Sequence, residues 1–229
     1  VTAHVIASNR LAGRGVARRA RELGLPVLAG ASDLSGEARE AGTRIGAFLR
    51  AGGGGASCFV WGGETTVSLG TGTAGQGGRC QELALAAAAE LDDVPGVALL
   101  AAGTDGRDGP TDAAGALVDG ATWARIAGRG RDPEADLSAH DAYHALEAAG
   151  ALLQVADSVH DLEDESFADL VVDVNLAEID RGLEELRAVE GALLHIGPTG
   201  TNVMDVVIGL RQRAVRDAPP PAAGSPRRG

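Results

Sequence analysis

The 229-residue chain has a formal net charge of -12, with 32 acidic side chains against 20 basic ones, and 45% of its residues are hydrophobic. That balance excludes the basic face a nucleic acid needs, and no apolar run approaches the ~20 residues of a membrane span, so an α/β protein with neither partner is expected. Every one of the 20 Lys-plus-Arg positions is Arg, which leaves no lysine for a phosphate clamp, and the two thiols Cys58 and Cys80 predict reduced cysteines in a cytoplasmic protein.

Along the chain, His4–Asn9 reads as a short strand and residues 11–23 as an Arg-rich helix closed by Gly24. Pro26–Leu28 begins a second strand, and residues 35–49 form a helix with apolar positions at Ile45, Phe48 and Leu49. This order predicts an α/β fold with a mainly parallel or mixed sheet flanked by helices. The glycines of 52–55 mark a hinge, dividing the chain into an N-terminal segment 1–52 and a domain over 56–210. Cys58–Trp61 predicts a strand, and the alternation of Val67 and Leu69 with Ser68 and Gly70 suggests another. A helix over 82–91, a strand over 97–102, helices over 120–127 and 140–149, and a terminal strand over 203–210 complete the domain. Gly150-Ala-Leu-Leu153 recurs as Gly191-Ala-Leu-Leu194, so residues 151–190 read as an insertion, with a strand over 170–174 and a helix over 176–189. The tail from Arg211, with Pro219–Pro221, is expected to be disordered.

Three polar loops follow apolar strands. Gly62-Gly-Glu-Thr-Thr66 would bring backbone amides to an anion, with Glu64 beside them. In Gly103-Thr-Asp-Gly-Arg-Asp-Gly-Pro-Thr-Asp112, the carboxylates of Asp105, Asp108 and Asp112 are expected to converge at the end of the strand. Like charges repel, so convergence implies a cation or a polyhydroxy ligand. Thr199, Thr201 and Asn202 offer neutral hydrogen-bonding groups, and Arg79, just ahead of a helix, suits phosphate. His140 and His144, at i and i+4, read as an exposed helix face. Phosphate-loop, nucleophile-elbow and zinc-helix motifs are absent from the sequence, and Gly70-x-Gly72 lacks the acidic partner of a dinucleotide fingerprint.

Gly62–Thr66, Gly78-Arg-Cys-Gln-Glu82, Gly103–Gly115 and Gly197-Pro-Thr-Gly-Thr-Asn202 together resemble, in order, the motifs of class II glycerate kinases. The last three resemble that family's C-terminal MOFRL domain, and residues 4–49, including Ser8-Asn9-Arg10, resemble the end of its larger, Rossmann-like N-terminal domain. The resemblance implies ATP-dependent phosphorylation of D-glycerate to 2-phosphoglycerate, or in some members 3-phosphoglycerate, with magnesium bridging the nucleotide phosphates. It implies catalytic roles for Arg79, Asp105 and Glu64 and magnesium at Asp105 and Asp108. Substrate or phosphate contacts would come from Gly62, Gly63, Asp112, Thr199, Asn202, Ser8 and Asn9. Three departures stand beside it: the family's N-terminal half with its lysine is missing, Cys80 replaces the usual Asn, and residues 151–190 interrupt the pattern. The expected protein is a truncated kinase. The alternatives are a partner subunit of a split kinase, with a homodimer or a separate N-terminal half completing the site, and a hydroxypyruvate reductase.

Overall fold

The computed structural model describes residues 8–29, 34–52, 55–154 and 202–212. The first helix, α1 (Asn9–Glu22), opens on Ser8, whose hydroxyl accepts from the Leu11 amide. Strand β1 (Val27–Ala29), helix α2 (Ala38–Ala51) and strand β2 (Ser57–Gly63) follow. Then come α3 (Arg79–Leu91), β3 (Val97–Gly103), β4 (Ala113–Asp119), α4 (Thr122–Gly128), α5 (Pro133–Ser138), α6 (Ala142–Ala148), β5 (Leu152–Gln154) and β6 (Asp205–Arg211).

The six strands form one mixed sheet in the order β1-β2-β6-β3-β4-β5. Among the described strands, only β1 and β2 pair in parallel; β6 runs antiparallel to both β2 and β3, and β4 is antiparallel to β3 and β5. The last described strand therefore enters the middle of the sheet. Side chains alternate across it with the pleat. Val206 and Ile208 of β6, with Cys58 of β2, meet Val16 and Ala20 of α1 on one face. Val207, Phe59, Leu99 and Ala101 meet the large cluster built on α2 and α3 on the other. Among the described residues, no helix is long and apolar enough to cross a membrane.

Several expectations change. Helix α3 starts at Arg79, three residues before the expected Glu82, because its first turn is capped from another loop, described below. Residues 67–69 are not a strand; Ser68 is bound through its amide and hydroxyl to Glu37. Strand β4 was not foreseen, since its Ala-Ala-Gly-Ala start has little strand propensity. Helix α5 was also missed, although Asp132 capping its amides and Pro133 in its first turn are start signals. His140 precedes α6 with φ 55 instead of lying in it, so 140 and 144 do not share a helix face. Asn9 opens α1 instead of closing a strand, and Arg211 ends β6 instead of opening a tail. The remainder of the first expected strand, the 155–190 part of the insertion with its strand and helix, and the tail from 213 lie outside the described residues.

With so few aromatic residues, close packing relies on small ones. Helices α2 and α3 meet at Gly42 and Gly46, where a Cβ would overlap the Leu83 carbonyl oxygen and the Glu90 side chain respectively. Replacing Gly42 by Ala gains about 1 kcal/mol of helix propensity but forces the two helices apart. A net loss of about 2 kcal/mol is expected for Gly42→Ala in urea unfolding, whereas an exposed helical Gly→Ala change would be neutral or stabilising.

Candidate active site

The carboxyl ends of β2 and β3 flank the amino end of β6: Gly63 and Gly103 are both in register with Asp205. The antiparallel entry of β6 between two parallel strands creates this edge. Of the mainly parallel or mixed sheet expected from the sequence, it is the mixed form that brings the loops together.

Asp205 is sealed from solvent, at 1% exposure, and faces Arg79 at the start of α3. The Arg79 Nε and Nη2 groups donate to its two carboxylate oxygens at 2.6 and 2.8 Å, the planar two-point geometry that only a guanidinium provides. Glu64, exposed at the end of β2, lies 3.4 Å from Nη2. Burial raises the Asp205 carboxyl above its ordinary range and the arginine pulls it back. Hydrogen bonding to Asp205 in turn raises the affinity of Arg79 for its proton. Among the described residues, no partner occupies Nη1 of Arg79. Asp205 was missed from the sequence; the available signal was a carboxylate opening the apolar run Val206-Val-Ile208.

Asp105 lies next along the same edge. Its Oδ2 accepts from the Asn202 side chain at 3.0 Å and its Oδ1 from the Arg107 amide. Thr104 fastens this loop to the approach of β6, donating to the Met204 carbonyl at 2.7 Å and accepting from the Val203 amide. Arg79, Glu64, Asp105 and Asn202, all expected in the site, thus sit on the rim where β2, β3 and β6 meet, through their own contacts or their neighbours'.

The other two aspartates do not join them. Asp108, 1% exposed, turns inward: its oxygens accept from the Cys80 and Gln81 amides at 3.0 and 2.8 Å. Burial pushes its carboxyl up to about 6 despite those hydrogen bonds, with nearby Asp205 adding to the rise and Arg79 opposing it. The expected magnesium role for Asp108 does not fit its place, because the carboxylate is sealed from solvent and turned to the first turn of α3, away from the rim. Asp112 instead accepts from the Tyr143 hydroxyl on α6 at 2.8 Å. Convergence of the three carboxylates is corrected to three separate attachments, the arrangement that relieves their mutual repulsion.

Gly62 and Gly63 are buried in β2, and the space of their missing side chains is already taken. A Cβ on Gly62 would overlap the Asn9 side chain, and one on Gly63, at φ 149, the Leu34 backbone. They serve close packing, not an anion cradle. Asn9 donates to the Val203 and Asp205 carbonyls, pinning α1 to the start of β6, while Ser8 caps α1. Thr199 and Thr201 lie outside the described residues. The Cys80 thiol is buried and held well above its ordinary range by desolvation and by Asp108 and Asp205. His140 instead meets the buried Glu82 at 2.8 Å, while His144 meets Asp141 at 2.6 Å.

Removing Arg79 would leave Asp205 buried and uncompensated. Arg79→Met should cost about 3 kcal/mol at pH 7, the lower end for a broken buried pair because the arginine is partly exposed. The freed carboxyl has a folded-state value above its unfolded one, so folding is favoured in acid and loses that advantage as pH rises. The deficit in urea unfolding should therefore shrink between pH 7 and about pH 4; an unchanged deficit would remove Asp205 as its cause.

Residues 57–164 match the MOFRL family. The chain is 40% identical over 155 residues to a protein named glycerate 2-kinase in Pyrococcus horikoshii, covering 65% of this chain and 35% of that one. It is 39% identical over 150 residues to a putative hydroxypyruvate reductase of Agrobacterium vitis, covering 66% and 28% respectively. The chain thus spans about a third of the length of these relatives. Its fold matches the crystal structure of a Thermotoga maritima glycerate kinase with a TM-score of 0.69 at 34% identity, covering 91% of this chain and 41% of that one. Residues 57–164 thus match the MOFRL family model, and the chain is similar, over about a third of their length, to proteins of the glycerate kinase type.

Proposed function

We propose that this chain supplies the Arg79–Asp105 side of a site that phosphorylates D-glycerate at the expense of ATP, giving 2-phosphoglycerate. One observation carries the reading: an arginine anchored through two nitrogens to a buried carboxylate, its Nη1 without a partner among the described residues, on the rim that also bears Asp105 and Asn202. A guanidinium so fixed needs no reorganisation when charge builds on a transferring phosphoryl group, which is the main form of catalysis open to a kinase. The names of the glycerate kinase relatives supply the acceptor.

In this reading Arg79 meets the phosphoryl oxygens, Glu64 keeps the guanidinium in place from its second side, and Asp105 with Asn202 receives the hydroxyls of glycerate. Among the described residues, no three His, Cys, Asp or Glu side chains are grouped to hold a metal. Magnesium would enter this reading as an ion carried by the nucleotide phosphates, with Asp105 among the carboxylates at the rim.

The test is D-glycerate-dependent release of ADP, measured for the chain by itself and mixed with the portion of the Pyrococcus horikoshii protein that it does not match. Turnover is expected in the mixture, with Arg79→Met lowering kcat/KM by about 10²- to 10³-fold, the usual effect of removing one transition-state donor. No ADP release under either condition, or NADH oxidation with hydroxypyruvate instead, would overturn the reading.

A further inference from the structure

Helix α3 opens on Gly78, which has no side chain to cap it. The first amides of any helix lack partners within the helix and need an acceptor, ideally a negative one at the positive end of the dipole. Asp108 fills that need from 28 and 27 residues away, accepting from Cys80 and Gln81. Its backbone carbonyl and the Thr111 hydroxyl then take the Gln81 side-chain amide, and Thr111 donates back to the Asp108 carbonyl. All three residues are buried. The approach needs bare backbone: a Cβ on Gly78 would overlap the Asp108 carboxyl, and Gly109, at φ 62, passes against the Gly77 carbonyl.

The same turn carries Arg79, whose guanidinium reaches Asp205 on β6. Asp205 is in register with Gly103, the residue from which the Asp108 loop departs. The start of α3 is thus tied at two points to one position in the sheet, by its backbone through Asp108 and by its first side chain through Asp205. We propose that Asp108 is a positioning residue for Arg79: a cap supplied by the 104–112 loop that sets the first turn of α3 where the guanidinium can hold Asp205 with two hydrogen bonds. This goes beyond the glycerate kinase reading but rests on it for its relevance to phosphoryl transfer.

The test uses the whole 229-residue chain, isotope-labelled, without ATP or glycerate, so that its failure is separate from a failure of turnover. Hydrogen exchange is followed at the Cys80 and Gln81 amides, at the Arg79 Nε–H and, as reference, at the Phe59 and Val207 amides of the central strands. Asp108→Ala removes the cap; Gly78→Ala displaces it without touching the carboxylate. In both variants the two α3 amides and the Arg79 Nε–H are expected to exchange about tenfold faster, with the strand amides unchanged, as for a local opening. The proposal is overturned if the α3 amides are released while the Arg79 Nε–H keeps its protection, or if none of the three changes. It is equally overturned if strand and α3 amides accelerate together, or if both variants fail to fold, since the contact would then hold the whole domain and not the arginine.

Discussion

The structure turns on a carboxylate that water does not reach. Asp205 occupies the centre of the sheet edge, where desolvation of an unpaired charge would cost several kcal/mol. Arg79 is what makes it tolerable there. The pair constrains everything around it: β6 must enter between β2 and β3, α3 must begin within reach of its first residue, and the chain from 202 to 204 must be held by Thr104 and Asn9. A buried ion pair is weak evidence for stability in general, since well-packed apolar groups do as well or better. Here the arginine of the pair stays partly exposed at the rim while its carboxylate is sealed.

The aspartates of the 103–112 loop show how one acidic motif divides its work. Side by side in sequence they invite a single metal site, yet like charges in a confined space are held apart unless an ion joins them. Here each finds its own counterpart: Asn202 for Asp105, the α3 amides for Asp108, the Tyr143 hydroxyl for Asp112. One of the three stays at the rim while the other two fasten the loop to the helices behind it. The glycines around them serve the same end, allowing backbones to approach so closely that the polar groups meet without water.

The similarity to glycerate kinases extends over about a third to two fifths of the length of those proteins.

Much was legible beforehand because it depends on local rules. Apolar periodicity placed α1, α2, β2, β3 and β6 within a few residues, and the motif order pointed to the family whose model matches residues 57–164. The polar loops that meet at the rim were also recognisable as loops that follow strands. Where local propensity was weak or contradictory, as in the Ala- and Gly-rich β4, the sequence was silent. What no local rule contains is partner choice across long separations. The antiparallel insertion of β6, the pairing of Arg79 with Asp205 126 residues away, and the turning of Asp108 inward were all decided by burial. A carboxylate's role depends on which donors the folded chain brings to it, and those donors are fixed only when the sheet closes.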